Sequence, residues 1–262
     1  MPRLAWSTVG SRYYEAGVDR GVLYVDSNPG VAWMGLVSVD ENPSGGDPQP
    51  FYIDGVKYSN EAAPEEFAAT LTAFTYPDEF AQCDGSVEPR SGLFLMHQRR
   101  KSFGLAYRTM IGNDLTHAAG YKIHIVYNAL ASPSNRTNNS LSDSISPSNF
   151  SWTLTTRPPA MAEYKPTAHI VIDTRFTDPE VVSTVEDILY GTDSDAARLP
   201  TLADLLEAFD TISTLTVTDN GDGTFTVTAP FDVIRMLDSD TFEITAPTAD
   251  FIDDTTYTIS SE

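Results

Sequence analysis

The residues best suited to chemistry are four histidines, one cysteine and a few charged clusters, and their spacing argues against a catalytic centre. His97, His117, His124 and His169 form neither a His-x-x-x-His pair nor a cluster with cysteines, the spacings through which zinc is usually held. His124 and His169 fall in strand patterns opposite the isoleucines, so each is expected as a partly exposed strand residue and no metal is implied. Ser, His and Asp are all present, and a serine triad is a matter of geometry rather than order. Yet Gly-x-Ser-x-Gly does not occur, and Cys83 has no histidine nearby in sequence to activate it. Asp219 and Asp222 with two glycines resemble part of a calcium loop but lack the closing Glu, and Asn220-Gly221-Asp222-Gly223 reads better as a hairpin turn. The expectation is a protein that is not an enzyme and carries no catalytic residue, cofactor or metal. Arg99-Arg100-Lys101 is the one basic run. Three cations are too few for a nucleic-acid patch, so the sharper expectation is an ion-pair contact between subunits, with the Glu61–Glu66 region, Glu65 and Glu66 above all, as its acidic counterpart.

The elements that must carry these residues are mostly strands. Phe103, Leu105, Tyr107, Thr109 and Ile111 alternate, as do Tyr121, Ile123, Ile125 and Tyr127, and then Phe150, Trp152 and Leu154; a period of two places each set on one face of a strand. Gly112-Asn113-Asp114 and the approach to Gly120 join the first two as an antiparallel hairpin. Further strands are expected at 21–25, 32–39, 51–53 with 56–58, 71–76, 93–97 and 168–173, and a short helix at 78–83. Residues 40–50 and 132–148 lack core-forming residues and read as loops. The second holds 17 residues, longer than connections usually run in compact domains, and is a candidate for ordering against a neighbouring subunit. Past Phe176 the texture becomes helical. Asp178-Pro179 opens a helix ended by Gly191, with Val181, Val185, Ile188 and Leu189 on one face, and Thr201 with Asp204 forms a capping box before Leu202, Leu205, Leu206 and Phe209. Thr/Val alternation around the Asn-Gly-Asp-Gly turn gives a hairpin over 214–230, with strands at 242–245 and 257–259.

Several uncommon strings in fixed order carry a family resemblance: FYIDGVKYSN (51–60), TLTAFTYPDEFAQCDG (70–85), FGLAYRTMIGND, YKIHIVYNAL and NFSWTLTTRPP between 103 and 159, PTAHIVIDTR (166–175) and DILYGTD (187–193). Over roughly Gly10 to Asp193 the chain resembles the major tail tube proteins of bacteriophages with long, non-contractile tails, especially those infecting actinobacteria. The resemblance implies a β-sandwich or barrel-like core and six copies closing into a ring. Rings would stack into a tube that conducts DNA during ejection, consistent with closure removing open sheet edges. It also implies as partners the chain itself, tail-tip and tail-terminator proteins, and a tape measure protein in the lumen. The genome would pass without tight binding. Residence in the virion, after the host cytoplasm, follows from the same likeness.

Composition is compatible with that expectation. The 262 residues are 41% hydrophobic and 20% charged, ordinary for a folded chain. No apolar run approaches the roughly 20 residues of a membrane span, and MPRLAWSTVGSR lacks the apolar core of a secretory signal. The lone Cys83 offers no intrachain disulfide. The net charge of −21 is uneven: residues 1–175 carry 14 Lys/Arg against 18 Asp/Glu, whereas 176–262 carry 2 against 19. Such a chain should repel phosphate rather than hold it, which suits a conduit. The reading is therefore mainly β (α+β), with a tail-tube β domain at 1–175, a helical linker at 176–196 and an acidic α+β domain at 197–262, expected on the outside of any tube where salt screens it. A competing expectation is a carbohydrate-binding or adhesion module, with Trp6, Trp33 and Trp152 as stacking residues.

Overall fold

The computed structural model describes residues 6, 8–45, 49–61, 65–133, 136, 140, 149–161, 164–211, 216–219, 225–228, 234–236 and 242–244. Among the described residues the structure is mainly β with two α-helices. Two compact units are present, one of residues 1–176 with 186–199, the other of 177–185 with 200–262. The stretch read as a linker, 176–196, is divided between them.

In the first unit β1 (Tyr14–Tyr24), β2 (Val31–Trp33), β3 (Leu36–Glu41), β6 (Ala68–Ala73), β9 (Phe103–Gly112), β10 (Gly120–Ala131), β11 (Phe150–Thr156) and β12 (His169–Asp173) share one antiparallel sheet. Two hairpins stand apart from it, β4 (Gln49–Ile53) with β5 (Val56–Glu61), and β7 (Val87–Arg90) with β8 (Leu93–Leu95). The sheet runs β2-β1-β9-β10-β11-β6-β3 and forks at β10. One edge of that strand pairs with β9, while the other pairs with β12 over Lys122–Val126 and with β11 over Ala129–Ala131. The fork folds the strands over a common core to which Leu23, Leu105, Tyr107 and Val126 contribute from one arm and Leu71, Ala73, Trp152 and Leu154 from the other. At its centre Phe80, in a 3-10 turn at Asp78–Gln82, lies 4.7 Å from the ring of Trp33 and 5.0 Å from that of Trp152.

Alternation locates the strands but not their irregularities. A bulge between Val126 and Ala129, with Asn128 at φ +49°, inserts residues into β10, so the core-facing series switches from Val126 to Ala129 and Ala131. The single strand expected over 32–39 is two, because Met34-Gly35 turns the chain and Gly35 sits at φ +78°. The strand expected at 71–76 is shifted to Ala68–Ala73, paired residue for residue with β11. The 93–97 strand stops at Leu95 and pairs with β7, which alternation did not mark.

The helices follow their caps. In α1 (Pro179–Tyr190) the Glu180 N–H donates to Asp178 Oδ1 at 2.8 Å, and the chain leaves through Gly191 at φ +79°. Ahead of α2 (Leu202–Thr211), Thr201 N–H donates to Asp204 Oδ2 at 2.7 Å while Asp204 N–H donates back to Thr201 Oγ1 at 3.2 Å. Leu205 and Ala208 are buried, whereas Leu206 and Phe209 are 43% and 40% exposed, so the buried stripe of α2 is narrower than its sequence suggests. In the second unit β13 (Thr216–Asp219) pairs with β14 (Phe225–Thr228), and β15 (Ile234–Met236) with β16 (Phe242–Ile244). The expected 257–259 strand, the Asn220–Gly223 turn and most of the 132–148 loop lie outside the described residues.

Candidate functional site

The surface of the first unit is dominated by the two hairpins outside the main sheet. In β4–β5 the turn is Asp54-Gly55, with φ of +51° and +79°, the left-handed pair that a two-residue hairpin requires. Phe51, Tyr52, Ile53, Val56 and Tyr58 are 53–76% exposed. An isolated two-stranded ribbon is marginal by itself, and this one presents apolar groups on both faces because successive residues alternate. The β7–β8 hairpin repeats the arrangement, with Val87, Leu93, Phe94, Leu95 and Met96 each 44–53% exposed. Exposed apolar groups are thus gathered on both ribbons, the kind of surface through which proteins associate.

The basic run lies just before β9 and is only partly available. Arg100 donates to Asp84 Oδ1 at 3.3 Å and to the Ala131 carbonyl at 3.0 Å, and Lys101 Nζ pairs with Asp26 at 2.8 Å. Arg99 is exposed, and with Arg100, Lys101 and Arg157 it lines a broad groove that also contains Asp26 and Asn128. Glu65 and Glu66 are exposed on a segment whose backbone is held by a reciprocal Ser44–Glu66 bridge at 2.7 and 2.9 Å. Among the described residues no ion pair joins the basic run to these two glutamates.

Asp84 was invisible to sequence reasoning. It is 7% exposed, yet it accepts from the indole N–H of Trp152 at 2.9 Å, from Arg100, and from Arg136 of the long loop. Arg136 in turn lies over the rings of Tyr76 and Phe150, 5.7 and 5.2 Å from their centres. A carboxylate shared by a buried indole and two guanidiniums is a strong charge-assisted junction. Its only sequence trace is an Asp-Gly pair that reads as an ordinary turn.

A second polar cluster overturns an expectation. His124 is 6% exposed, not partly exposed as alternation implied, whereas His169 is half-buried, as expected. Both faces of β10 are covered: Ile123 and Ile125 are fully buried on one, and His124 faces the Tyr107 side on the other. On the isoleucine side Arg108 and Tyr121 both reach Glu186 of α1, and Tyr24 donates to the Leu189 carbonyl at 2.6 Å. On the opposite side His124 Nδ1 lies 3.1 Å from His169 Nε2 and 3.3 Å from Glu41 Oε1. The two ring centres are 5.3 Å apart, only two ring radii more than the nitrogen separation, so the rings meet edge to edge with their facing nitrogens between them. Tyr107 stacks on His124 with centres 4.6 Å apart and donates to Glu41 at 2.7 Å, Phe67 packs on His169, and Thr109 Oγ1 lies 3.0 Å from His124 Nε2. Burial lowers the His124 pKa to about 4, against the attraction of Glu41, and lowers that of His169 as well. Burial likewise pushes the Cys83 thiol up to about 12, far from the thiolate a nucleophile needs.

Of the three tryptophans, Trp33 and Trp152 are core residues and Trp6 is 83% exposed, so the row of stacking rings that a glycan platform would use is not assembled. No protein-family model matches the chain, and no curated protein matches it. Among solved structures, the chain overlays a chain of the anti-feeding prophage baseplate with 11% identity, covering 64% of this chain and 97% of that one, at a TM-score of 0.33. It overlays a chain of the tube-terminating cap of that prophage with 9% identity, 66% and 96% coverage and a TM-score of 0.33. For the sheath-tube complex of an extracellular contractile injection system the values are 14%, 59%, 88% and 0.29. Superpositions this loose carry no argument about what the chain does.

Proposed function

We propose that this chain is the major tail tube subunit of a bacteriophage with a long, non-contractile tail. Six copies close into a ring, and rings stack into the conduit through which DNA is ejected. The role is architectural and non-catalytic, and its site of action is the virion. The observation that carries the reading is the β4–β5 hairpin, a ribbon outside the sheet with five large apolar side chains more than half exposed. It coincides with FYIDGVKYSN, one of the strings on which the family resemblance rests. Covering it with a second copy removes apolar surface from water at about 25 cal/mol per Å² and adds partners to a marginal ribbon. The acidic composition suits the same role, since a wall that does not attract phosphate does not retain DNA. Tail-tip, tail-terminator and tape measure proteins are the further partners of this reading, and the acidic residues beyond 197 belong on the outside.

Arg99 is the member of the basic run best placed to reach a neighbouring subunit, with Glu65 and Glu66 as its acidic counterpart. Arg100 already serves Asp84 within the chain, so its reversal would disturb the monomer as well. The test is light scattering with negative-stain electron microscopy over a concentration series, with and without a tail-tip seed. Wild-type protein should form rings or tubes with a central channel, while Tyr52→Ser/Val56→Ser should stay monomeric with an unchanged melting temperature. Wild-type protein that stays monomeric even when seeded, or a double variant that assembles normally, would overturn the proposal.

A further inference from the structure

We infer that Glu41, His124 and His169 form a binding site for a divalent transition-metal ion of the zinc class. One potential ligand atom from each residue lies within 4.8 Å of the others. His124 and His169 approach in their ring planes, so the lone pairs of Nδ1 and Nε2 are directed into the same space, beside the carboxylate oxygen. Three electron-rich atoms converging there require something positive among them. In the ion's absence one proton is shared by the two nitrogens while Glu41 Oε1 accepts from Tyr107 O–H; a divalent ion would engage all three atoms at once.

The dimensions suit such an ion. Zinc with bonds of about 2.0–2.1 Å to nitrogen or oxygen sets tetrahedral ligand atoms roughly 3.3–3.4 Å apart. Two separations are near that value, 3.1 Å between the two nitrogens and 3.3 Å between His124 Nδ1 and Glu41 Oε1, and the third lies within 4.8 Å; because the two nitrogens face each other, both rings must turn to aim their lone pairs at one ion. Two imidazoles and a carboxylate are a borderline donor set of the kind that zinc favours.

The surrounding groups hold the ligands as outer-shell groups do in metal sites. Thr109 Oγ1 engages His124 Nε2, which leaves Nδ1 for the ion, and Tyr107 O–H donates to Glu41. Tyr107 and Phe67 pack on the two rings and limit their rotation. The side chain of Glu41 is 38% exposed against 7% for His124, which gives an ion a way in and leaves a coordination position towards solvent. The ligands come from β3, β10 and β12, so a bound ion would cross-link strands far apart in sequence. The role is a structural staple and is independent of what the hairpins bind.

The experiment uses the full-length chain, stripped with a chelator, checked for folding by circular dichroism and titrated with cobalt and then zinc chloride. One cobalt ion per chain should bind with a visible ligand-field spectrum and be displaced by one equivalent of zinc. The melting temperature should rise by about 5–10 °C when free zinc exceeds its Kd about a hundredfold. His169→Asn should weaken binding by at least about a hundredfold and Glu41→Gln by at least about tenfold, while His97→Asn should bind as wild type. Wild-type protein that takes up no ion and shows no thermal shift at millimolar zinc would overturn the site in favour of a proton-bridged pair. Uptake that is unchanged in both His169→Asn and Glu41→Gln would also overturn it, by placing the ion elsewhere.

Discussion

The core around Phe80 and the β4–β5 hairpin use similar residues to opposite ends. Trp33, Tyr76, Phe80, Phe150 and Trp152 touch one another with ring centres 4.7–6.0 Å apart. The polar atoms of both indoles are satisfied, Trp33 by the Thr75 carbonyl at 2.9 Å and Trp152 by Asp84. The hairpin places Phe51, Tyr52, Ile53, Val56 and Tyr58 in solvent. In the first region the apolar groups are consumed by the fold; in the second they remain available. On the proposed reading, monomer stability resides in the first region and association in the second.

The largest effect expected from breaking this contrast is at Phe80. Truncation to Ala leaves a cavity among four aromatic rings, those of Trp33, Tyr76, Phe103 and Trp152, and should cost about 3–5 kcal/mol, measured by urea unfolding of the monomer. A loss below about 1 kcal/mol would show that the aromatic cluster is not where stability resides. Next comes Asp84→Ala, which strands a buried indole N–H and removes the carboxylate that Arg100 and Arg136 share; it should cost about 2–3 kcal/mol. Trp152 fluorescence should report the same transition.

The hairpin sharpens the comparison from the other side. Tyr52→Ser and Val56→Ser remove exposed groups, so monomer stability should stay within about 0.5 kcal/mol of wild type while association is lost. A large fall in monomer stability would mean that the hairpin is already packed within its own chain. Smaller again is the acid response of the Arg108–Asp19 pair, at 2.8 Å on the far side of β9. The hydrogen bond from Arg108 holds the Asp19 carboxyl below its ordinary value, against the opposing effect of burial. A depressed folded-state value contributes stability above the unfolded pKa, and that contribution disappears as pH falls through the folded one. Wild-type stability should therefore decline from about pH 4 downwards more steeply than that of Asp19→Asn. The difference should be under about 1 kcal/mol because Asp19 is partly solvated. Parallel profiles would remove the pair from the acid response.

Much of the architecture is legible from local rules. Alternation marks β9, β10 and β11, the Asp54-Gly55 and Gly112–Gly120 connections mark hairpins, and the Asp178 and Thr201 caps mark both helices, because each signal arises between residues a few positions apart. The exposed hairpin is legible only as strands: FYI is an unbroken apolar run and VKY alternates, but neither tells that both faces are uncovered. The candidate metal cluster was read in the opposite sense. His124 was placed on an exposed face because a strand pattern has two sides, and nothing in it says that both are buried.

The sequence by itself determined β9, β10 and β11, the helix caps and the charge asymmetry, since period, capping and charge are properties of neighbouring residues. Only the tertiary structure decided that β10 forks, that Asp84 collects Trp152, Arg100 and Arg136, and that Glu41, His124 and His169 meet. Those contacts join residues between 16 and 128 positions apart. Only chain closure around a common core can set such pairings, because no local period reaches across the distance.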